Sequence, residues 1–294
     1  MREYALFIGC TIATRGLNYE ASARRVAEAF DIRFVDIPAF ACCGYPMSHV
    51  EWEASMAMAA RNLAEAGERG LEVVTLCSAC TGMLTKASKV LAEDEGELER
   101  INTILKEAGR RYSGNVKVRH FSRVLLEDVG VGAIEKRVVR SLRGLRLAPH
   151  YGCHYERPGH LFDGFDSPKR PRSLHALIRA TGATPIDYLN AHRCCGGDIL
   201  AIEEKSAMKV VNEKLKDVRA AGADAMVLHC PFCAIMYDEY QASVEEAFKE
   251  SYGLPILYIT QVLGLALGMD PKKELGMALN SVKPRALLSR LGVA

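Results

Sequence analysis

Ten cysteines are the residues of this chain whose type and spacing could do chemistry, and they form two copies of one pattern. Each copy consists of a single cysteine, a CCG motif and a CxxC motif, in that order. The first cysteine set is Cys10, Cys42, Cys43, Cys77 and Cys80, and the second cysteine set is Cys153, Cys194, Cys195, Cys230 and Cys233. The gap between CCG and CxxC is 32 residues in the first copy (45–76) and 33 in the second (197–229). No cysteine lies outside the pattern, which indicates an internal duplication.

The sequence around the cysteines repeats as well. Glu72–Cys80 reads EVVTLCSAC and Asp224–Cys233 reads DAMVLHCPFC, so a strand-like run leads into CxxC both times. Val118–Leu125 (VRHFSRVL) and Ile256–Leu263 (ILYITQVL) each resemble a strand that enters a helix. A repeat of about 150 residues is too long for a solenoid. It is typical of two similar lobes.

Length and composition describe an ordinary globular protein of 294 residues, 49% hydrophobic and 25% charged, with a net charge of +2. This charge gives no field that would attract nucleic acid. The longest apolar stretch, Leu257–Met269, is shorter than the roughly 20 residues that a membrane span needs. The N-terminus lacks a secretion signal. We therefore expect a cytoplasmic protein with reduced thiols and with neither a membrane span nor a nucleic-acid partner.

Strand-like and helical patterns alternate, which predicts an α/β fold. We expect two pseudo-symmetric lobes with mainly parallel sheets flanked by helices, each carrying one CCG motif. The predicted strands are Tyr4–Gly9, Ile32–Ile37, Leu71–Leu76, Leu145–Pro149, Pro185–Leu189, Ala225–Leu228 and Ile256–Ile259. The predicted helices are Tyr19–Phe30 with Asn18 as N-cap, Trp52–Glu68, Thr81–Leu91, Leu174–Thr181, Ala201–Ala220 and Ala234–Glu250. Cysteines that follow strands should meet, because the carboxyl ends of parallel strands share one edge of the sheet.

The repeat also predicts the domain organisation. Residues 1–143 form the first repeat, 144–270 the second, and 271–294 a basic amphipathic tail. The tail either packs as a helix on its own domain or docks onto a partner. The proline-rich segment Asp163–Arg172 is predicted to be a surface insertion.

Five thiols in each copy are compatible with three kinds of chemistry. A zinc site needs four ligands and would leave one cysteine of each copy unused. Thiol–disulfide exchange at CxxC would leave Cys10 and Cys153 without a role. Iron–sulfur ligation suits soft thiolates. Because a cubane takes four cysteines, the fifth indicates either a cluster of unusual shape or a spare thiolate.

The duplicated pattern resembles the CCG domain, and two copies over residues 3–270 resemble the HdrB family of heterodisulfide reductase subunits. The resemblance implies that each cysteine set holds a non-cubane [4Fe-4S] cluster. It also implies an oxidoreductase of methanogenesis that cleaves or forms the disulfide of coenzymes M and B. Two clusters would flank the S–S bond and deliver one electron each. The implied partners are an iron–sulfur HdrC-like subunit and a flavin-containing HdrA-like subunit.

The same domain also occurs in other complexes. One alternative is therefore an electron-transfer subunit of Hdr-like sulfur metabolism, or of a quinone-linked or 2-hydroxy-acid dehydrogenase, without a heterodisulfide substrate. A second alternative is a zinc-stabilised scaffold.

Side chains beside the cysteines are secondary candidates. The candidate proton donors are His154, His192 and His229 of the second copy; the matching positions of the first copy hold Thr11, Phe40 and Leu76. Arg157 and Arg193 could attract an anionic substrate. Gly44 and Gly196 are expected to give the backbone freedom that a close approach needs.

Overall fold

Two four-stranded sheets organise the chain, and the computed structural model describes residues 1–155 and 157–293. The first sheet has the order β2-β1-β3-β4, with β1 at Arg2–Phe7, β2 at Ile32–Asp36, β3 at Val73–Thr75 and β4 at Val118–His120. The second has the order β6-β5-β7-β8, with β5 at Arg146–His150, β6 at Thr184–Pro185, β7 at Ala225–Leu228 and β8 at Ile256–Tyr258. Every pairing is parallel. The predicted α/β fold with two similar lobes is therefore confirmed.

Helices connect these strands. The first half contains α1 (Gly9–Arg15), α2 (Leu17–Ala29), α3 (Trp52–Gly67), α4 (Ser78–Glu93), α5 (Glu95–Glu107), α6 (Phe121–Val124) and α7 (Val131–Lys136). The second half contains α8 (Ser173–Ala180), α9 (Glu204–Ala220), α10 (Pro231–Ala234), α11 (Gln241–Phe248), α12 (Ile259–Ala266) and α13 (Arg285–Arg290). Short 3-10 turns lie at Tyr45–Met47, Gly159–Phe162, Gly197–Ile199 and Met277–Leu279, and π-helical segments at Leu125–Val129 and Ile235–Glu239.

Three predicted elements differ from the structure. Asn18 is not an N-cap, because α2 already begins at Leu17 and the Asn18 side chain is buried. The predicted strand Pro185–Leu189 is reduced to the two residues of β6, since proline offers no amide donor and β6 lies at the sheet edge. The single helix predicted over Ala234–Glu250 is broken into α10, a π-helical segment and α11.

The sequence-based prediction also missed α5. Asp94 is its N-cap, and the carboxylate accepts a hydrogen bond from the Glu97 amide at 3.0 Å. An aspartate followed three residues later by a glutamate, before apolar residues at helical spacing, is a recognisable helix start.

The two halves are packed together through α2 and α12. The ring of Tyr19 stacks on that of Tyr258 at 4.0 Å, and its hydroxyl donates to the carbonyl of His229 at 3.1 Å. Ser22 and Thr260 share a hydrogen bond of 2.7 Å. These contacts fix the carboxyl edges of the two sheets relative to each other.

The C-terminal segment packs on its own chain. Leu275, Leu287 and Leu288 are buried, whereas Leu279 is 62% exposed. Asn280 lies between the halves and bonds to both Asn18 and Gln261. No helix among the described residues has the length and apolar character needed to cross a bilayer.

Candidate metal centre

The two CxxC motifs occupy equivalent positions in the fold. Each follows the carboxyl end of a central strand, β3 or β7, and opens a helix. Cys77 is the N-cap of α4 with φ −132° and ψ 125°, and Cys230 is the N-cap of α10 with φ −130° and ψ 125°. The matching backbone shows that the duplication extends to local geometry. Free amides at a helix N-terminus favour the thiolate form of cysteine.

The glycine of each CCG motif lets the chain turn close to a helix. Gly44 has φ +87° and Gly196 has φ +81°, a region that side chains rarely adopt. A Cβ on Gly44 would lie 2.5 Å from the carbonyl oxygen of Ser55 in α3. A Cβ on Gly196 would lie 3.4 Å from the backbone of Ala207 in α9. The expected role of these glycines in backbone freedom is confirmed.

Nine of the ten thiols lie in one continuous row of neighbouring, electrostatically coupled sulfurs that crosses from one half to the other. We call it the sulfur row, and its order is Cys42, Cys43, Cys80, Cys77, Cys230, Cys233, Cys195, Cys194 and Cys153. The halves meet where the thiol of Cys77 neighbours that of Cys230. The structure therefore brings the two cysteine sets together, as the strand ends predicted.

The row is buried in the middle and open at both ends. Both CxxC motifs are buried, as are Cys43 and Cys195. Cys10 lies on the exposed surface of α1, where its nearest hydrogen-bond partner is the Thr11 hydroxyl at 3.8 Å. All ten thiols are free. Among the described residues, no three His, Cys, Asp or Glu side chains converge around a single point as a metal-binding group.

Three sulfurs of the row have a lowered pKa, because two neighbouring thiols stabilise each of them as a thiolate. The thiols of Cys42 and Cys80 lower the pKa of Cys43 to about 4. The thiols on either side lower the pKa of Cys194 to about 2 and that of Cys230 well below its usual range. Each of these three lies between two thiols whose pKa is raised, so the row favours a thiolate at three positions and thiols at the other six.

The three candidate histidines lie in different environments. His154 contacts the row, with Nδ1 3.2 Å from the sulfur of Cys153, and its Nε2 lies 3.1 Å from the hydroxyl of Tyr45 in the other half. His229 is fully buried, and burial lowers its pKa to about 4. Its nitrogens contact the Ser122 hydroxyl and the Tyr151 carbonyl. His192 is exposed and lines a cleft of the second half that contains no cysteine.

The CCG turns of the two halves are linked to each other directly. The Tyr45 hydroxyl, two residues after the first motif's second cysteine, donates to the carboxylate of Asp198 at 2.9 Å. Asp198 lies in the 3-10 turn that follows the second CCG motif. Burial and this carboxylate raise the pKa of Tyr45. The link spans the boundary that the sulfur row also crosses.

Sequence reasoning missed two residues that hold the CCG turns. Asn62 of α3 donates to the carbonyl of Cys42 at 3.0 Å and accepts from the amide of Ala41 at 2.8 Å. Lys214 of α9 donates to the carbonyls of Arg193, at 3.2 Å, and Asn190. Both lie 20 residues beyond the first cysteine of their CCG motif, a signal that the duplication contained. Burial lowers the pKa of Lys214 to about 8.

A cavity of about 20 Å³ is lined by all five cysteines of the second set, and two larger openings lie elsewhere on the surface. A groove of about 780 Å³ between the halves is lined by Cys10 of α1 and by the apolar side chains Leu200, Phe232 and Met236. A basic cleft of about 560 Å³ in the second half is lined by Arg157, Arg170, Arg172, Arg193, His175 and His192, with Asp187 as its acid. The two arginines named from the sequence therefore belong to one cleft.

Comparison with known proteins assigns the duplicated motif to a family. The cysteine-rich domain family, CCG, matches residues 4–85 and 147–238. A protein of Archaeoglobus profundus that is described as like the B subunit of heterodisulfide reductase is 32% identical over 97% of this chain and 96% of its own length. The B subunit of the ferredoxin:CoB-CoM heterodisulfide reductase of Methanosarcina mazei is 30% identical over 99% of this chain and 97% of its own length.

A third relative belongs to a different complex. The 8-methylmenaquinol:fumarate reductase membrane anchor subunit of Wolinella succinogenes is 32% identical over 96% of this chain and 97% of its own length. Among solved structures, a hypothetical protein from Helicobacter pylori superimposes with a TM-score of 0.78 at 16% identity, over 96% of this chain and 52% of that chain. This last similarity shows a shared fold.

Proposed function

The chain belongs to the cysteine-rich CCG domain family, and we propose that it is the iron–sulfur subunit of a heterodisulfide reductase-like complex. In this proposal it is an oxidoreductase that acts on the sulfur–sulfur bond of a small disulfide. The observation that carries the proposal is the sulfur row, which joins the two cysteine sets through Cys77 and Cys230. Cleavage of one S–S bond needs two electrons. Two cysteine sets that meet at one place could each hold a cluster that supplies one of them.

The donor set fits iron–sulfur clusters. Each half offers five thiols, soft ligands that iron–sulfur clusters require. All of them except Cys10 lie in the extended sulfur row, which supports a polynuclear and non-cubane [4Fe-4S] cluster in each half better than a single zinc ion with four ligands. The first and second cysteine sets would each hold one cluster. When bound, such clusters supply single electrons to the sulfurs of a disulfide.

The two larger openings support a substrate with apolar and anionic parts. The groove brings apolar side chains next to Cys10, at one end of the first cysteine set. The basic cleft places Arg157 and Arg193 near the CCG motif of the second set. His154, in contact with the sulfur of Cys153, is the candidate that could deliver a proton to a leaving thiolate. His192, in the basic cleft, would then help to bind the substrate. His229 would only pack in the interior of the protein.

The relatives are subunits of heterodisulfide reductase or fumarate reductase complexes. By extension, this chain would receive electrons from an HdrC-like iron–sulfur subunit and an HdrA-like flavin subunit. The boundaries 1–143 and 144–270 for the two repeats, with 271–294 as tail, belong to the same proposal.

Anaerobic purification with iron and sulfide analysis tests the cofactor. We expect about eight iron and eight acid-labile sulfide per chain. Cys43→Ser or Cys195→Ser should each lose roughly half of the iron, whereas Thr103→Ala, on the exposed side of α5, should lose none. Two zinc ions per chain without sulfide would contradict the proposal.

A second candidate is an electron-transfer subunit without a disulfide substrate, which the similarity to the Wolinella succinogenes subunit favours. Both candidates predict the same metal content. Adding the coenzyme M–coenzyme B disulfide to the reduced protein should change the EPR signal of the clusters only if the disulfide is the substrate. An unchanged signal would favour the second candidate.

A further inference from the structure

The two halves hold their CCG turns by the same device, in which one buried side chain of the following helix bonds to the backbone of the turn. Equivalent glycines fix the correspondence: Gly44 faces Ser55 and Met58 of α3, and Gly196 faces Ala207 and Val210 of α9. The spacing is the same in both halves. By this register, Asn62 of the first half corresponds to Lys214 of the second.

The two side chains differ in charge but not in burial, since each is 1% exposed. Asn62 is a neutral amide whose donors and acceptor are used on the chain. Lys214 brings an ammonium group, bonded to two backbone carbonyls and 5.6 Å from the ring centroid of Tyr188. A fully buried cation therefore lies behind the second CCG turn, whereas the first has the half-buried Arg61, which donates to the carbonyl of Ala39 at 2.9 Å.

This charge is not neutralised by an ion pair. The neighbouring acid, Asp217, accepts a hydrogen bond from the side chain of Asn190 at 2.8 Å. Within residues 1–155 and 157–293, no carboxylate lies within ion-pair distance of the Lys214 ammonium. Its ammonium donates to the carbonyl of Arg193, the residue directly before Cys194 of the second cysteine set.

Other buried side chains near the cysteines also differ in polarity between the two halves. At positions that correspond through the cysteine pattern, the first half has Phe7 and Leu76, and the second has His150 and His229. All four side chains are buried. At these two positions the first half is therefore apolar and the second half is polar.

We propose that Lys214 makes the second cysteine set the site of the more easily reduced of the two clusters; this inference rests on the proposed function. Reduction adds one negative charge to a cluster. A fixed cation in a region of low dielectric constant stabilises that added charge, whereas Asn62 cannot. Electrons delivered to the protein therefore come to rest at the second cysteine set before the first.

Redox titration of the iron-loaded, full-length protein, followed by EPR, tests this. Cys43→Ser and Cys195→Ser first assign each signal to one half. Lys214→Gln keeps a hydrogen-bond donor and removes the charge, so the midpoint potential of the second-half signal should fall while that of the first half stays unchanged. Lys214→Arg, which keeps the charge, should retain the wild-type midpoint.

Asn62→Lys is the reciprocal test, and it should raise the midpoint of the first-half signal alone. This variant decides the matter if Lys214→Gln fails to bind iron in the second half. Midpoints that stay at wild-type values, or that move together in both halves, would overturn the inference. If wild-type protein is found to contain neither iron nor sulfide, the proposed function is contradicted, and this inference, which rests on it, falls as well.

Discussion

At the scale of single residues, the two CCG glycines differ in how closely the neighbouring helix approaches them. Both have positive φ, but only Gly44 faces a carbonyl oxygen at 2.5 Å from an added Cβ. Gly44→Ala should therefore lower the free energy of unfolding by about 2–4 kcal/mol, through backbone strain and a steric clash. Gly196→Ala should cost only about 1–2 kcal/mol, the strain alone. Urea denaturation measures both.

Gly70→Ala is the matched control, because Gly70 also has positive φ (+64°) but nothing lies within 4 Å of its Cβ position. It should behave like Gly196→Ala. Equal losses for Gly44 and Gly70 would show that the approach of α3 does not constrain the CCG turn.

A second residue-scale prediction concerns acid stability at Asp128. Its carboxylate accepts hydrogen bonds from Arg119, at 2.6 and 2.8 Å, and from the hydroxyl of Tyr4. Partial burial alone would raise the pKa of Asp128, but Arg119 and Tyr4 outweigh it and lower this pKa to about 2. Because the unfolded carboxyl titrates at about 3.9, the stabilisation is complete above about pH 4 and is lost as the pH falls toward 2.

Asp128→Asn should therefore lower the free energy of unfolding at pH 7 by about 1–3 kcal/mol, and the difference from wild type should shrink between pH 4 and pH 2. The control is Asp36→Asn in the exposed pair with Arg24, expected to cost under about 1 kcal/mol. A difference that is constant over this pH range would contradict the assignment.

The duplicated cysteine motif and the backbone role of its two glycines could be predicted because they depend on residue type and spacing along the chain. Asn62 and Lys214 could not, although they lie at the same distance from their CCG motifs. Each sits in an ordinary helical pattern. Only the packing of α3 and α9 against the turns makes a polar helix residue a buried neighbour of the cysteines.

At the scale of elements, most strands and most of the longer helices were predictable from hydrophobic periodicity, whereas α1, α5, α7 and the break after α10 were not predicted. The break depends on a contact distant in sequence. Asp238, in the π-helical segment Ile235–Glu239, accepts hydrogen bonds from the backbone amides of Ser281 and Val282 at 2.7 and 3.0 Å. A prediction from local sequence does not take account of a hydrogen-bond partner more than 40 residues away.

The C-terminal segment provides the element-scale prediction. The buried side chain of Asn280 accepts from Asn18 and Gln261, both at 3.0 Å, and donates to the carbonyl of Ile256 at 2.8 Å. Asn280→Ala leaves these groups without a partner and should lower the free energy of unfolding by about 2–4 kcal/mol. Leu279→Ala, at the exposed neighbouring position, should change it by less than about 0.5 kcal/mol. Comparable losses in the two variants would contradict this role of the segment.

At the scale of the whole molecule, convergence of the cysteine sets was predictable from strand ends, but the junction between the halves was not. The pattern of each half places its thiols at the carboxyl edge of its own sheet. The stacking of α2 on α12, with Tyr19 on Tyr258, then sets the two edges face to face. This packing depends on side-chain shapes at positions far apart in the chain.

The same packing predicts that the two halves unfold together. The single tryptophan, Trp52, lies on α3 and reports on the first half alone, whereas Tyr258 lies in the second. Tyr258→Ala removes a buried ring stacked on Tyr19 at 4.0 Å and should lower the free energy of unfolding by about 3–5 kcal/mol. Because the lost contact belongs to both halves, the Trp52 fluorescence midpoint should fall by as much as the circular dichroism midpoint.

Tyr258→Phe, which keeps the ring, should have a stability near that of the wild type. A Trp52 midpoint that remains at its wild-type value would mean that the halves unfold separately.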